Sequence, residues 1–202
     1  MSAGTAVTIG DDDIGLAAVR VVGADVLLPS VLYRSPPSPV DVAVFEKAVL
    51  AYPPGPGASA TSRWSHWAMT SILRDLGASI AVCSADAAEP DDAMWLNHLP
   101  WQSLTHQLAL LAPLAVPTAD SSVAWVAGAR AVDVARGFVR AVRRRDWLQA
   151  AEAGRWLAVH DDVPDTLGLD AGLEFVAHMG CDDPRVTLHL HAARLLRAGA
   201  VL

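Results

Sequence analysis

The stretch SSVAWVAGARAVDVARGFVRAVRRRDWLQAAEAGRWLAVH, from Ser121 to His160, decides the fold of this chain. Its apolar residues recur at the 3.6-residue spacing of an α-helix, which predicts a helix that begins near Ser121, whose side-chain oxygen can cap the first amide groups. A break at Arg145 and Asp146 predicts a second helix from about Trp147. Because the connection is short, we expect the two helices to form an antiparallel hairpin.

The two faces of the first helix differ in chemistry. The predicted buried arc comprises Ala127, Ala131, Val134, Ala135, Phe138, Val139 and Val142, and the predicted solvated arc comprises Arg130, Asp133, Arg136, Arg140, Arg143 and Arg144. The arginines are one candidate binding surface, because a guanidinium can contact a carboxylate or phosphate through two hydrogen bonds. The alternative is a solvated face whose cations suit the C-terminal end of the helix dipole.

Two further helices are predicted beyond the hairpin. One covers about Leu167–Met179 with Gly180 as its C-cap, and the next begins at Asp183-Pro184. The region 121–198 therefore contains two helix pairs, an arrangement that resembles helical repeats such as tetratricopeptide pairs. The characteristic aromatic and glycine positions of that repeat are not reproduced, so the sequence assigns no family.

Length and composition predict one globular domain over residues 1–202 with a flexible tail at residues 1–13. Hydrophobic residues make up 52% of the chain and charged residues 18%, which favours a large core over disorder. The predicted fold is mainly α, and α+β at most. It is a compact multi-helix domain of at least six helices, with two C-terminal helical hairpins and a short N-terminal β-hairpin in the valine-rich residues 16–33.

Charge and cysteine content narrow the function classes. The net charge of −7 argues against general affinity for nucleic acid. The most apolar run, Leu108 to Val116, is short and contains Pro113, and no signal peptide is recognised, so we predict a cytoplasmic protein without a membrane span. Cys83 and Cys181 are expected to be buried free thiols. Abundant arginine and alanine suggest a GC-rich, bacterial genome.

A predicted helix at about residues 61–76 carries the strongest local signal for a ligand site. Its second face presents Trp64, Trp67, Thr70 and Arg74, with His66 at the border. Two tryptophans on one helix face indicate either a pocket wall or a second buried face, and the buried face is the commoner case.

Two hypotheses for function follow. The first is a helical binding or accessory protein that holds a partner protein, a peptide, or a small aromatic or anionic ligand through a tryptophan and arginine surface. The alternative is a small enzyme without a known motif, with a pocket walled by Trp64, Trp67 and Trp101 and served by His66 or His106 as acid or base. The predicted ligand-binding residues are Trp64, His66, Trp67, Thr70, Arg74, Trp101 and His106.

No cofactor, metal or catalytic residue is predicted, and a homodimer is left open. The sequence has no phosphate-binding loop, dinucleotide fingerprint or catalytic serine elbow. His178, Cys181, His189 and His191 occur in a ligand-like order. However, His189 and His191 would point to opposite sides of a helix, and zinc requires convergent ligands.

Overall fold

The structure, a computed structural model, describes residues 12–77, 88–90, 93–116, 121–160 and 163–199. Every regular element in these ranges is helical and none is a strand, so the mainly α prediction is confirmed, with more than six helices. Backbone contacts divide the chain into two compact units, Met1–Pro90 and Asp91–Leu202. Residues 1–11 of the predicted tail lie outside the described ranges, whereas Asp12 and Asp13 cap and begin the first helix.

All described elements of the N-terminal unit are helices. They are α1 (Asp13–Val22), a 3-10 helix (Gly23–Leu27), α2 (Leu28–Leu32), α3 (Pro39–Ala51) and α4 (Ala60–Asp75). The helix predicted at about residues 61–76 is confirmed as α4.

The predicted β-hairpin in residues 16–33 is wrong, because that region forms α1, the 3-10 helix and α2. The Asp12 carboxylate accepts a hydrogen bond of 2.8 Å from the Gly15 amide and so caps α1. Leu16 and Val19, three residues apart, are both buried, and Gly23 ends the helix with a φ of 66°. The helix penalty of valine is below roughly 0.7 kcal/mol per residue, which capping and burial outweigh.

The 20-residue segment Asp13–Leu32 is long and apolar enough to be a candidate membrane span, and its most apolar 18-residue window has a mean hydropathy of 1.7. Within the structure, 39% of its most apolar window is buried, and the 3-10 helix Gly23–Leu27 interrupts it. Core helices of soluble proteins and signal sequences share this composition.

The C-terminal unit is a bundle around one central helix. Its described elements are α5 (Met94–Asn97), α6 (Trp101–Leu110), a 3-10 helix (Ala112–Leu114), α7 (Ser122–Ala129), α8 (Ala131–Arg144), α9 (Trp147–Val159), a 3-10 helix (Asp165–Leu167), α10 (Leu169–Met179) and α11 (Pro184–Arg197). Helix α9 packs against α6, α8, α10 and α11. The predicted helices after Arg130 correspond to α8, α9, α10 and α11.

The turn between α8 and α9 lies at the predicted break, Arg145 and Asp146. Arg145 adopts the left-handed conformation, with φ 58°, and ends α8. The Asp146 side chain accepts a hydrogen bond from the Gln149 amide at 3.2 Å, so α9 begins at Trp147 as predicted. Behind this turn, the Phe138 ring lies against Gly154, where an added Cβ would be 3.3 Å from it. Phe138 is buried, as predicted, and α8 and α9 pack closely at this point.

The single helix predicted for residues 121–144 is interrupted at Arg130, which separates α7 from α8. Arg130 was expected to be solvated, but its side chain is largely buried and donates to the carbonyl oxygens of Leu96, Asn97 and Leu99. These three carbonyl oxygens lie at the C-terminal end of α5 and just beyond it. The last carbonyl groups of a helix have no partner within that helix. Arg130 therefore ties α5 to the start of α8.

A buried arginine joins the middle of α9 to its neighbours. Arg155 is fully buried and donates to the carbonyl oxygens of Ala115 and Pro113 at 3.1 and 3.4 Å. Its Nη1 lies 3.2 Å from Nδ1 of His189 on α11, which is itself buried. Sequence patterns gave no signal for Arg155, because an arginine is almost never fully buried unless its charge is paired.

Candidate functional site

The C-terminal unit has an open groove of about 780 Å³ along the outer face of α8. We call it the arginine groove. Its lining residues are Trp101, Val132, Ala135, Arg136, Val139, Arg140, Arg143, Arg144, Pro164, Thr166 and Leu167. Trp101 comes from α6, the last three come from the segment before α10, and the remainder come from α8.

The floor of the groove alternates apolar and cationic side chains. Val132, Arg136, Val139 and Arg143 are spaced by four, three and four residues, which places them on one stripe of α8. Val132 and Val139 are 53% and 39% exposed, so the predicted burial of Val139 is wrong. Each valine therefore leaves part of its apolar surface exposed beside an arginine of the same stripe.

The close packing of α6 on α8 builds one wall of the groove. A Cβ added at Gly137 would lie only 2.0 Å from Thr105 Cγ2, so only glycine allows the two helices to approach this closely. The Thr105 hydroxyl donates a hydrogen bond of 2.5 Å to the Trp101 carbonyl one turn earlier in α6. One turn from Gly137, the Arg140 guanidinium carbon lies 5.5 Å from the centre of the Trp101 ring, within the range of a cation–π contact.

The groove has unneutralised positive charge. Arg136 pairs with Asp133 at 3.0 Å, and the second oxygen of that carboxylate is bound by Arg130. Within the described ranges, Arg140, Arg143 and Arg144 form no ion pair with a carboxylate. The three arginines can attract an anionic group of a ligand. The apolar surface beside them can contact apolar parts of the same ligand.

A second, smaller cleft of about 160 Å³ lies on the other side of the Trp101–Arg140 contact. Trp101, Arg140 and Arg144 line both cavities. The polar groups that line only the small cleft are Gln102, His106, Asp146 and Gln149, with Thr105 at its base. His106 is exposed.

The structure assigns the seven predicted ligand-binding residues to two different units. Trp101 and His106 meet at the small cleft of the C-terminal unit, whereas Trp64, His66, Trp67, Thr70 and Arg74 all belong to α4 in the N-terminal unit. The predicted role of these residues in ligand binding stays a prediction.

The tryptophan face of α4 is largely internal. Trp64 is fully buried and packs edge-to-face on Trp67, with ring centroids 5.3 Å apart. Thr70 is 5% exposed, and its hydroxyl donates to the Trp67 carbonyl within the same helix. His66 and Arg74 are half-buried. Since Met69 and Leu73 on the other face are also buried, α4 has the two buried faces of the commoner alternative.

The indole nitrogens of Trp64 and Trp67 are buried, and neither has a hydrogen-bond partner among the described residues. The same holds for the Ser71 hydroxyl, one turn further along the same side of α4. An unmade hydrogen bond at a buried donor costs about 1–3 kcal/mol, so this stripe is a polar feature inside an otherwise apolar face.

The histidines and the free cysteine of the described residues are dispersed over the structure. The two clefts at Trp101 contain His106 as their single histidine, and another described cleft contains His160. No group of three or more histidine, cysteine, aspartate or glutamate side chains is placed to hold a metal in the described ranges. Cys181 is a free thiol, but it is exposed rather than buried as predicted, and Cys83 lies outside the described residues.

Searches with this sequence and structure find no matching protein-family model, curated protein or solved structure.

Proposed function

We propose that this chain is a binding protein whose arginine groove holds an acidic peptide segment of a partner protein. The observation that carries the proposal is the set of three arginines, Arg140, Arg143 and Arg144, that line an open cavity without a carboxylate partner among the described residues. A cytoplasmic location belongs to the same proposal, because the exposed Cys181 thiol would stay reduced there.

The dimensions of the groove favour a peptide. From Val132 to Arg144 the α8 backbone rises about 18 Å, at 1.5 Å per residue, which matches about five residues of an extended chain. The valines expose apolar surface at both the start and the middle of this length. A segment that alternates leucine-like and carboxylate side chains would satisfy both kinds of contact.

The composition of the groove also favours a protein partner. Tryptophan and arginine are the residues most enriched at the energetic centres of protein interfaces. Trp101 is half-buried beneath Arg140, so its ring is already held in place before a partner arrives. A positioned ring loses little conformational entropy on binding.

A displayed library of random ten-residue peptides provides the direct test. Selection on the wild-type protein should enrich sequences that combine aspartate or glutamate with apolar residues. The same selection on Arg143→Glu should lose this enrichment, because the substitution places a carboxylate on the groove floor. A selected peptide should bind Arg143→Glu at least about tenfold more weakly, the equivalent of one charge-assisted contact.

Arg194→Glu is the matched control, since Arg194 is exposed on α11 and lines neither cleft. It makes the same change of net charge and should leave the affinity of the selected peptide within about twofold. Enrichment of peptides without acidic residues, or an equal loss of affinity in both variants, would contradict the proposal.

A further inference from the structure

The small cleft beside the arginine groove has the size and chemistry of an anion subsite. Its volume of about 160 Å³ is far below that of a cofactor pocket, which is several hundred Å³, but it can hold one tetrahedral oxyanion. Arg140 and Arg144 are four residues apart on α8, so both guanidiniums reach the same side of the helix. Gln102 from α6 and Gln149 from α9 bring neutral amide donors from two other helices.

The charge balance of the small cleft remains positive. Asp146 also lines the small cleft. Its carboxylate accepts a hydrogen bond from the backbone amide of Gln149 and so forms the N-cap of α9. Two guanidiniums therefore face one carboxylate that is held at a helix N-terminus, and His106 adds an imidazole. The dipole of α9 contributes partial positive charge at the same end.

The position of the small cleft connects it to the proposed peptide. Trp101, Arg140 and Arg144 line both cavities, so a side chain that extends from a peptide in the arginine groove can enter the small cleft beside Trp101. A carboxylate offers two acceptor oxygens, whereas a phosphate monoester offers three and carries nearly two negative charges at neutral pH. Donors that converge from three helices match the phosphate better.

We propose that the small cleft binds the phosphate of a phosphorylated serine on the acidic peptide held by the arginine groove. This inference rests on the proposed function for the peptide but assigns different residues. Gln102, His106 and Gln149 line only the small cleft, whereas Val132, Val139 and Arg143 line only the arginine groove. Substitutions in the two sets therefore separate phosphate recognition from peptide binding.

The first experiment needs no peptide. N-acetyl-O-phosphoserine methylamide is titrated into the full chain, and NMR follows the side-chain amides of Gln102 and Gln149 and the ring of His106. Saturable shifts at these groups are expected, with little change on addition of N-acetylserine methylamide. Gln102→Glu should lower the affinity for the phosphoserine probe at least about fivefold, because the substitution adds a negative charge at the small cleft.

Ser103→Glu is the matched control, because Ser103 is exposed on α6 and lines neither cavity. It should change the affinity for the phosphoserine probe by less than about twofold. If the phosphoserine probe shifts none of the three groups, or binds Gln102→Glu as well as the wild type, the subsite is refuted whatever the library shows.

The second experiment identifies the source of the phosphate. A selected acidic peptide is compared with the same peptide carrying phosphoserine in place of one acidic residue. The phosphorylated form should bind at least about tenfold more tightly to the wild type, and this gain should vanish in Gln102→Glu while the unphosphorylated peptide binds as before. Equal binding of both peptides, together with tight binding of inorganic phosphate, would show that the cleft takes a free ion and would overturn the inference.

Discussion

At the scale of single residues, Arg155 is the most unusual side chain in the C-terminal unit. A fully buried cation is rare unless its donors are satisfied, and its guanidinium contacts two carbonyls of the segment before α7 and the imidazole of His189. These contacts connect segments far apart in sequence, which apolar packing alone would orient less specifically.

Arg155→Met should destabilise the protein by about 2–4 kcal/mol, because buried carbonyl oxygens of Ala115 and Pro113 would lose their donors while the volume is nearly kept. Urea denaturation followed by circular dichroism measures the loss. Arg194→Met, on an exposed surface, should change stability by less than about 0.5 kcal/mol. Equal effects of the two substitutions would contradict the structural role of Arg155.

The pair Asp170–Arg197 gives a test of surface electrostatics. Arg197 donates two hydrogen bonds to Asp170, of 2.7 and 2.9 Å, and these hold the pKa of that carboxyl below its ordinary value. A lowered carboxyl pKa stabilises the fold above the pKa of the unfolded chain, and this contribution is lost as the pH falls through the lowered value. NMR titration should show the pKa of Asp170 rising toward normal in Arg197→Gln. An unchanged pKa would mean that the pair does not persist in solution.

At the scale of helices, the contact between α6 and α8 decides whether the arginine groove exists. Gly137 lies against Thr105 so closely that no Cβ fits, and this contact brings Trp101 beneath Arg140. Glycine within a helix normally costs about 0.5–1 kcal/mol relative to alanine. Its presence in α8 therefore reflects packing and not local helix preference.

Gly137→Ala should destabilise the protein by about 1–3 kcal/mol despite the better helix propensity of alanine, because Thr105 and α6 must move. Because Trp101 belongs to α6, it would move with that helix, and the affinity for a selected acidic peptide should fall. Gly55→Ala, where an added Cβ meets no atom within 4 Å, serves as the control and should be nearly neutral. A Gly137→Ala protein of wild-type or higher stability would show that the two helices are not so closely packed.

At the scale of the whole molecule, the charge of the groove opposes the charge of the chain. The protein carries a net charge of −7, whereas the arginine groove is locally cationic. A generally acidic surface repels nucleic acid and other polyanions, so only a ligand that fits the groove would benefit from its arginines. The proposed specificity for a short acidic segment rests on this contrast.

The affinity for a selected acidic peptide should fall several-fold as ionic strength rises from about 0.01 M to about 1 M, where the screening length contracts from about 30 Å to about 3 Å. Fluorescence anisotropy at several salt concentrations measures the change. A random DNA duplex should not bind at physiological salt. Salt-independent peptide affinity, or comparable binding of the duplex, would argue against an electrostatic groove.

The sequence by itself determined the local helical structure of the C-terminal unit. The apolar periodicity around Phe138 corresponds to a helix in the structure. The break at Arg145 and Asp146 and the start signal Asp183-Pro184 correspond to helix boundaries. These features act within one or two helical turns, so they are readable without knowledge of the fold. The valine-rich N-terminal region misled the prediction because β propensity is weak beside capping and burial.

Only the tertiary structure decided which surfaces are available for binding. The pattern of α4 could not distinguish a pocket wall from a second buried face, and the structure buries Trp64 completely. The pattern of α8 assigned Val139 to the core, but the neighbouring helices leave it exposed beside Arg140 and Arg143. Burial depends on which elements lie opposite each face, and those elements are distant in sequence. The arginine groove therefore exists because α6 and the segment before α10 flank α8 without covering its cationic stripe.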